Sequence, residues 1–225
     1  MIGYTATAPR RNGPRRSKKP AGARSEGADG STQAEPQGPE PVGVVLAGGR
    51  SLRMGKDKAL LELGGEPLVA LAARRLARIV QEVVIADAGR SYLETWPSIS
   101  DGPGAGPVAG LLGAAARFPG RCLLALACDL PNVTHELLAL LRDETSFDWV
   151  VPEGPRGLEP LCARYGPRAL ACLESRVAMG RFELWSLAEE PGLRIRRLSG
   201  LALGSTLPSE QLFANLNRPG DLPST

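Results

Sequence analysis

Thirteen consecutive residues concentrate most of the chemistry this sequence offers: Leu46-Ala47-Gly48-Gly49-Arg50-Ser51-Leu52-Arg53-Met54-Gly55-Lys56-Asp57-Lys58. They follow a short apolar run, Val42–Leu46. Two adjacent glycines let the backbone turn sharply and bring amide N–H groups close to an anion. Arg50, Arg53, Lys56 and Lys58 surround that turn with positive charge. Amide donors and fixed cations together are what a triphosphate needs. The string is not a P-loop: five residues separate Gly49 from Gly55, and Asp57 stands where Ser or Thr would have to follow the lysine. It is not a dinucleotide fingerprint either.

A second candidate is Asp129, which follows the apolar run Cys122–Ala127 and precedes Leu130-Pro131. A carboxylate at the end of a buried strand projects from the edge of a sheet, and one carboxylate plus substrate phosphates is a common way to hold Mg²⁺. Asp101 lies in a Gly/Pro-rich loop, where an ordinary turn role competes with a functional one. Asn215 and Asn217 alternate along an extended segment and so share one face, either closing a cleft or satisfying local backbone.

These residues need elements to hold them. Val42–Leu46, Val83–Ala86 and Cys122–Ala127 are continuous apolar runs bounded by turn or polar residues, the pattern of buried parallel strands. Between them Leu68, Leu71, Ala72, Leu76 and Ile79 recur at helical spacing. Pro107 suits the first turn of a helix carrying Val108, Leu111, Leu112 and Ala115, and Thr134 suits an N-cap. Strand-like Trp149–Val151 and Leu161–Ala163 follow, then helical stretches over Pro167–Val177 and near Phe182–Leu187, and a strand near Leu193–Leu198. The alternation predicts a three-layer α/β/α, Rossmann-like domain with a mostly parallel sheet, whose ligands bind outside the carboxyl ends of the strands.

The 225 residues divide by composition. Residues 1–41 are rich in Pro, Gly, Ala, Ser and Arg and nearly free of large apolar side chains, so they are expected to be a disordered basic tail. That segment reads as a solvated extension or an over-long start. The domain is expected over residues 42–225. Of 27 basic and 24 acidic residues the tail carries seven and four, leaving twenty of each. A neutral domain with few aromatics lacks the footprint of a nucleic-acid binder, and no apolar run is long enough to span a membrane. Cys122, Cys128, Cys162 and Cys172 have neither C-x-x-C nor zinc spacing and read as small packing residues suited to a reducing cytoplasm. The single histidine, His135, is expected at a solvent-facing helix start.

The thirteen-residue string resembles the signature of the molybdenum cofactor guanylyltransferases, Leu-Ala-Gly-Gly-x-Ser-x-Arg-Met-Gly-x-Asp-Lys, at every fixed position. Three further segments are similar to that family: Gly106-Pro107-Val108-Ala109-Gly110, Cys128-Asp129-Leu130-Pro131, and Phe213-Ala214-Asn215-Leu216-Asn217-Arg218-Pro219. Glu159-Pro160-Leu161 resembles the run that lines its acceptor side.

The resemblance implies that GTP and molybdenum-loaded molybdopterin react to give the guanine dinucleotide cofactor and pyrophosphate. It places Leu46, Ala47, Gly48, Gly49, Lys58, Asp101 and Asp129 at the nucleotide. Lys58, Arg53 and Asp129 become the catalytic residues, Asp129 the Mg²⁺ ligand, and Asn215 and Asn217 the acceptor or metal side. Transient contact with other molybdenum cofactor proteins is a further expectation. Two positions depart from the pattern: Ala86 stands where some members carry a base-contacting Asn, and Arg218 replaces a Thr. The rivals are a cytidylyltransferase of the same pathway, in which Ala-Ala-Gly typically replaces Ala47-Gly48-Gly49, a sugar-phosphate nucleotidyltransferase, and a non-catalytic nucleotide-binding adaptor.

Overall fold

A strand whose every residue is apolar must be covered on both faces, and the first strand, β1 (Val42–Leu46), is wholly buried. A computed structural model of the chain describes residues 40–48 and 57–216. Within them β1 is followed by a one-turn 3₁₀ helix (Lys58–Leu60), a small hairpin of β2 (Glu62–Leu63) and β3 (Glu66–Pro67), and helix α1 (Leu68–Ala77). Next come β4 (Val83–Ala86), β5 (Ser98–Ile99), α2 (Pro107–Arg117), β6 (Leu123–Ala127) and α3 (His135–Asp143). The second half adds β7 (Trp149–Gly154), β8 (Gly157–Leu158), β9 (Cys162–Tyr165), α4 (Pro167–Ala178), a 3₁₀ helix (Leu184–Glu189), β10 (Ile195–Leu198), a 3₁₀ turn (Gly200–Leu203) and α5 (Ser209–Leu212).

The main sheet runs β10-β7-β9-β6-β1-β4-β5, with β8 paired to β7 as a hairpin. β1 lies between β6 and β4 and is parallel to both. β9 is antiparallel to its neighbours β6 and β7. The expected mostly parallel sheet is therefore correct, with β9 and the short β8 reversed.

The helices cover both faces, as alternation along β1 requires. A Cβ at Gly43 would meet Val80, Val83 and Leu76, so α1 and the turn after it sit against that side of β1. Leu46 and Ala86 face Gly110 of α2, on the other side. α3 lies beside α1: Arg75 donates to the Val133 carbonyl, and Arg142 to that of Ile79. Local signals fix the helix ends. Pro107 and Pro167 occupy first-turn positions, and the Thr134 hydroxyl accepts the Leu137 N–H at 3.4 Å.

One expectation is corrected here. His135 does start α3, but it is only partly open to solvent, and its Nε2 is shielded without a hydrogen-bond partner among the described residues. Ala86 is 1% exposed inside β4, beside Gly110 of α2, and packs as a core residue. It offers no amide to a base, as its residue type implies. The expected tail lies outside the described residues except for its end, where the Glu40 carbonyl accepts two bonds from Arg121 at 3.0 and 2.6 Å.

Candidate functional site

Three parallel strands end side by side, and the chain segments leaving them build a cleft. The ends are tied at the backbone: Ala47 N–H donates to the Ala86 carbonyl at 3.1 Å, and Cys128 N–H to the Leu46 carbonyl at 3.2 Å. Leu46, Ala47 and Gly48 leave β1 along one wall, Ala127, Cys128 and Asp129 leave β6 along another, and Asp57, Lys58 and Ala59 close a third. Pro107, the first residue of α2, and Leu161, just before β9, complete the lining.

Gly48 is exposed at the mouth. Among the described residues a Cβ there would meet only the Ala86 carbonyl, at an ordinary 3.5 Å.

Lys58 reaches across to Asp129, its Nζ 2.5 Å from Oδ2, with the two side chains 21% and 18% exposed. The residues are 71 apart in sequence, yet the strand ends bring them together at the centre of the cleft. The 3₁₀ helix carrying Lys58 is started by Asp57, whose Oδ1 accepts the Ala59 N–H at 3.2 Å. Asp129 is held from the far side through its backbone carbonyl, which accepts the Leu216 N–H at 3.0 Å. That bond places Asn215 in the segment running past Asp129. Asn217, Gly49 and Arg53 lie outside the described residues.

Asp101 sits at the rim rather than in the lining. Its Oδ1 comes within 4.0 Å of where a Cβ of Gly110 would stand, on the α2 side. Partial desolvation pushes its carboxyl above the ordinary value, opposed by Arg90 and reinforced by Asp87. Its loop approaches α2 closely: Gly102 N–H donates to the Ala109 carbonyl at 2.8 Å, and a Cβ at Gly113 would lie 2.2 Å from the Ser100 carbonyl. The glycines of this segment permit helix and loop to touch.

Several further residues around the cleft lie outside the thirteen-residue string, Glu159 and Cys128 in the weaker family-like segments and Asp87 in none. Glu159, two positions before Leu161, is half-buried; desolvation raises its carboxyl, and so does the charge of Asp129, against the opposing effect of Arg156. Asp87 is fully buried just past β4 and accepts from Gly89 N–H, Tyr92 N–H and the Ser98 hydroxyl. The Asp87-Ala88-Gly89 spacing is an Asx-turn signal that would have found it. Cys128 is buried beside Asp129, and its thiol is pushed up to about 12, chiefly by desolvation. It packs as a small apolar residue.

The arrangement offers a cation, a carboxylate and an open glycine turn at one place. That suits binding and aligning an anionic phosphate chain. Among the described residues no cluster of three or more His, Cys, Asp or Glu could by itself hold a metal ion.

Residues 43–189 match the MobA-like NTP transferase domain. Over 193 residues the chain is 32% identical to the "Probable molybdenum cofactor guanylyltransferase" of Methanothermobacter thermautotrophicus, covering 80% of this chain and 95% of that protein. A protein of the same name from Pelotomaculum thermopropionicum is 32% identical over 191 residues, covering 81% and 90%. The fold is similar to the crystal structure of molybdopterin-guanine dinucleotide biosynthesis protein A from Archaeoglobus fulgidus, with a TM-score of 0.66 and 24% identity over 80% of this chain and 94% of that one. The chain is a nucleotidyltransferase of the MobA-like type and belongs to the molybdenum cofactor guanylyltransferase family.

Proposed function

We propose that the chain transfers GMP from GTP to the terminal phosphate of molybdenum-loaded molybdopterin, forming the guanine dinucleotide cofactor and pyrophosphate. The observation that carries this reading is the meeting of Lys58 and Asp129 in the cleft that Gly48 also lines. An acceptor phosphate oxygen attacks the α-phosphorus, a new P–O bond forms, and the bond to the β-phosphate oxygen breaks. The acceptor oxygen is already anionic at neutral pH, so the protein need not supply a nucleophile or a strong base. Its contribution is alignment and charge neutralisation.

Amides of the turn after β1 hold the phosphate chain, and the missing Cβ of Gly48 allows close approach. Lys58 neutralises charge on the triphosphate. Arg53, in the same string, is proposed to add to that field, and Asp101 to contact the nucleotide from the α2 rim. Asn215, in the segment tied to Asp129, and Asn217 are proposed for the acceptor or metal side.

The donor set fits Mg²⁺. Asp129 is a single carboxylate at a strand end, and a small hard cation that keeps several waters is commonly held by one or two carboxylates plus substrate phosphates. When bound there, the ion would offset phosphate charge. Lys58 and Asp129 pair with each other in this structure, so phosphates and cation would each take one partner of that pair.

Guanine preference rests on Ala47-Gly48-Gly49 and on Gly106–Gly110, since Ala86 offers no amide to the base. No helix among the described residues is long and apolar enough to cross a membrane. The deciding measurement is pyrophosphate release from each nucleoside triphosphate in turn, with and without molybdenum-loaded molybdopterin. Acceptor-dependent release from GTP above the other three is expected. Equal turnover of CTP would refute the guanylyl assignment, and release independent of the acceptor would refute the acceptor.

A further inference from the structure

The turn that carries Lys58 is held from outside by a chain of side chains that starts at two residues in none of the motifs, Arg90 and Tyr92, and ends at Asp57. Asp57 lines the cleft, yet both its oxygens are engaged. Oδ1 caps the 3₁₀ turn through the Ala59 N–H. Oδ2 accepts the Tyr92 hydroxyl and, at 3.4 Å, Arg90 Nη1. Arg90 Nη1 also donates to the Tyr92 oxygen at 2.6 Å. A guanidinium can only donate, so the Tyr92 oxygen accepts from Arg90 and its own O–H is directed to Asp57. The direction of the chain is therefore fixed: Arg90 to Tyr92 to Asp57.

Tyr92 is in turn fixed to the sheet. Its backbone N–H donates to Asp87 Oδ2 at 3.1 Å, and Asp87 is fully buried at the end of β4, with Gly89 N–H and Ser98 also bound to it. The loop between Asp87 and Tyr92 includes two non-glycine residues in the left-handed region, Ala88 at φ 59° and Ser91 at φ 53°. Such conformations are unfavourable for L residues and persist where the surroundings impose them. Asp87, with its three donors, imposes this one.

We infer that Tyr92 is a positioning residue for Lys58: its hydroxyl, braced by Arg90, holds Asp57 and so sets where the phosphate-binding lysine stands relative to Asp129. This rests on the proposed role of Lys58 at the triphosphate.

The test is a double-mutant cycle of Tyr92→Phe and Lys58→Ala on the full-length protein, read by nucleotide affinity, kcat, KM for each substrate, and melting temperature. Tyr92→Phe keeps the ring and removes only the hydroxyl. It is expected to lower kcat/KM for the nucleoside triphosphate about tenfold, because small misplacements of a binding group are costly to rate. KM for the acceptor should stay as in the wild type. On the Lys58→Ala background the same change should have less than about a twofold further effect, since coupled residues are non-additive. A wild-type kcat/KM for Tyr92→Phe, or an undiminished loss on the Lys58→Ala background, would overturn the inference alone. A Lys58→Ala enzyme that binds and turns over nucleotide like the wild type would sink the reading of Lys58 and the inference together. Should Tyr92→Phe fail to fold, Arg90→Gln breaks the same chain at its other end. A loss of about threefold in kcat/KM that disappears on the Lys58→Ala background supports the inference, and an additive loss refutes it.

Discussion

Replacing Asp129 with asparagine separates a metal-binding role from a structural one. The substitution keeps the shape of the side chain and can still accept from Lys58, but removes the charge that a hard cation requires. The structural cost is bounded by the geometry. The Lys58–Asp129 pair is mostly buried, about one-fifth exposed on each side, so removing the Asp129 charge should cost about 1–3 kcal/mol, between the values for open and closed pairs. For a domain of this size that is about 3–9 °C in melting temperature. The bond from Leu216 uses the Asp129 backbone carbonyl and is untouched. Ligand stabilisation is of similar size but is read as a difference with and without ligand: at a hundred times the dissociation constant a bound ligand adds about 2.7 kcal/mol, or roughly 8 °C on the same scale.

The two effects are therefore resolvable in one thermal-shift experiment with GTP, with and without Mg²⁺. The variant without ligand should melt within about 9 °C of the wild type. The Mg²⁺-dependent part of the GTP shift should collapse, transfer should fall by about a hundredfold, and raising Mg²⁺ should restore part of the rate. A full Mg²⁺-dependent shift in Asp129→Asn would refute the metal assignment. So would a large loss of melting temperature without ligand combined with normal activity per folded molecule, because that pattern belongs to a broken turn.

Gly113→Ala tests the close approach of α2 to the Asp101 loop. Its Cβ would stand 2.2 Å from the Ser100 carbonyl and 3.0 Å from the Gly102 nitrogen, so overpacking against backbone should cost about 3 kcal/mol, measured by urea unfolding; a neutral result would show that loop and helix separate freely. Cys128 should resist alkylation in the folded protein near about pH 8, because desolvation holds its thiol up to about 12, and should react once the protein is unfolded. Rapid modification of Cys128 in the native state, located by peptide mass mapping, would place it at an open surface instead.

Legibility in the sequence followed the physical range of each signal. The strands β1, β4 and β6 were readable because a doubly covered strand must be apolar throughout, and Pro107 and Thr134 marked helix starts through bonds within one turn of chain. β9 was readable as a strand, but its direction was not. Leu161–Tyr165 follows the β7–β8 hairpin, and only pairing with β6 and β7 makes it antiparallel to both. His135 was misread because helix-start position says nothing of the tertiary neighbour that shields its Nε2. Ala86 was readable as a loss of a polar contact, and its packing beside Gly110, 24 residues away on α2, appears only in the fold.

At the site, Lys58 and Asp129 could be picked out by their places beside a glycine turn and at a strand end, and the fold supplies the contact between them. Asp101 was named by the resemblance alone, and the fold adds its place beside α2, where partial desolvation raises its carboxyl against the opposing effect of Arg90. The motif names residues that face the cleft, but Arg90 and Tyr92 lie 33 and 35 residues beyond their partner Asp57 in a loop with no recurring pattern. Their information is carried by a hydrogen-bond direction, which exists only once donor and acceptor have met. A sequence motif of this kind therefore under-reports the residues that hold the functional groups in place, and positioning residues must be sought among the partners of the motif's own polar side chains.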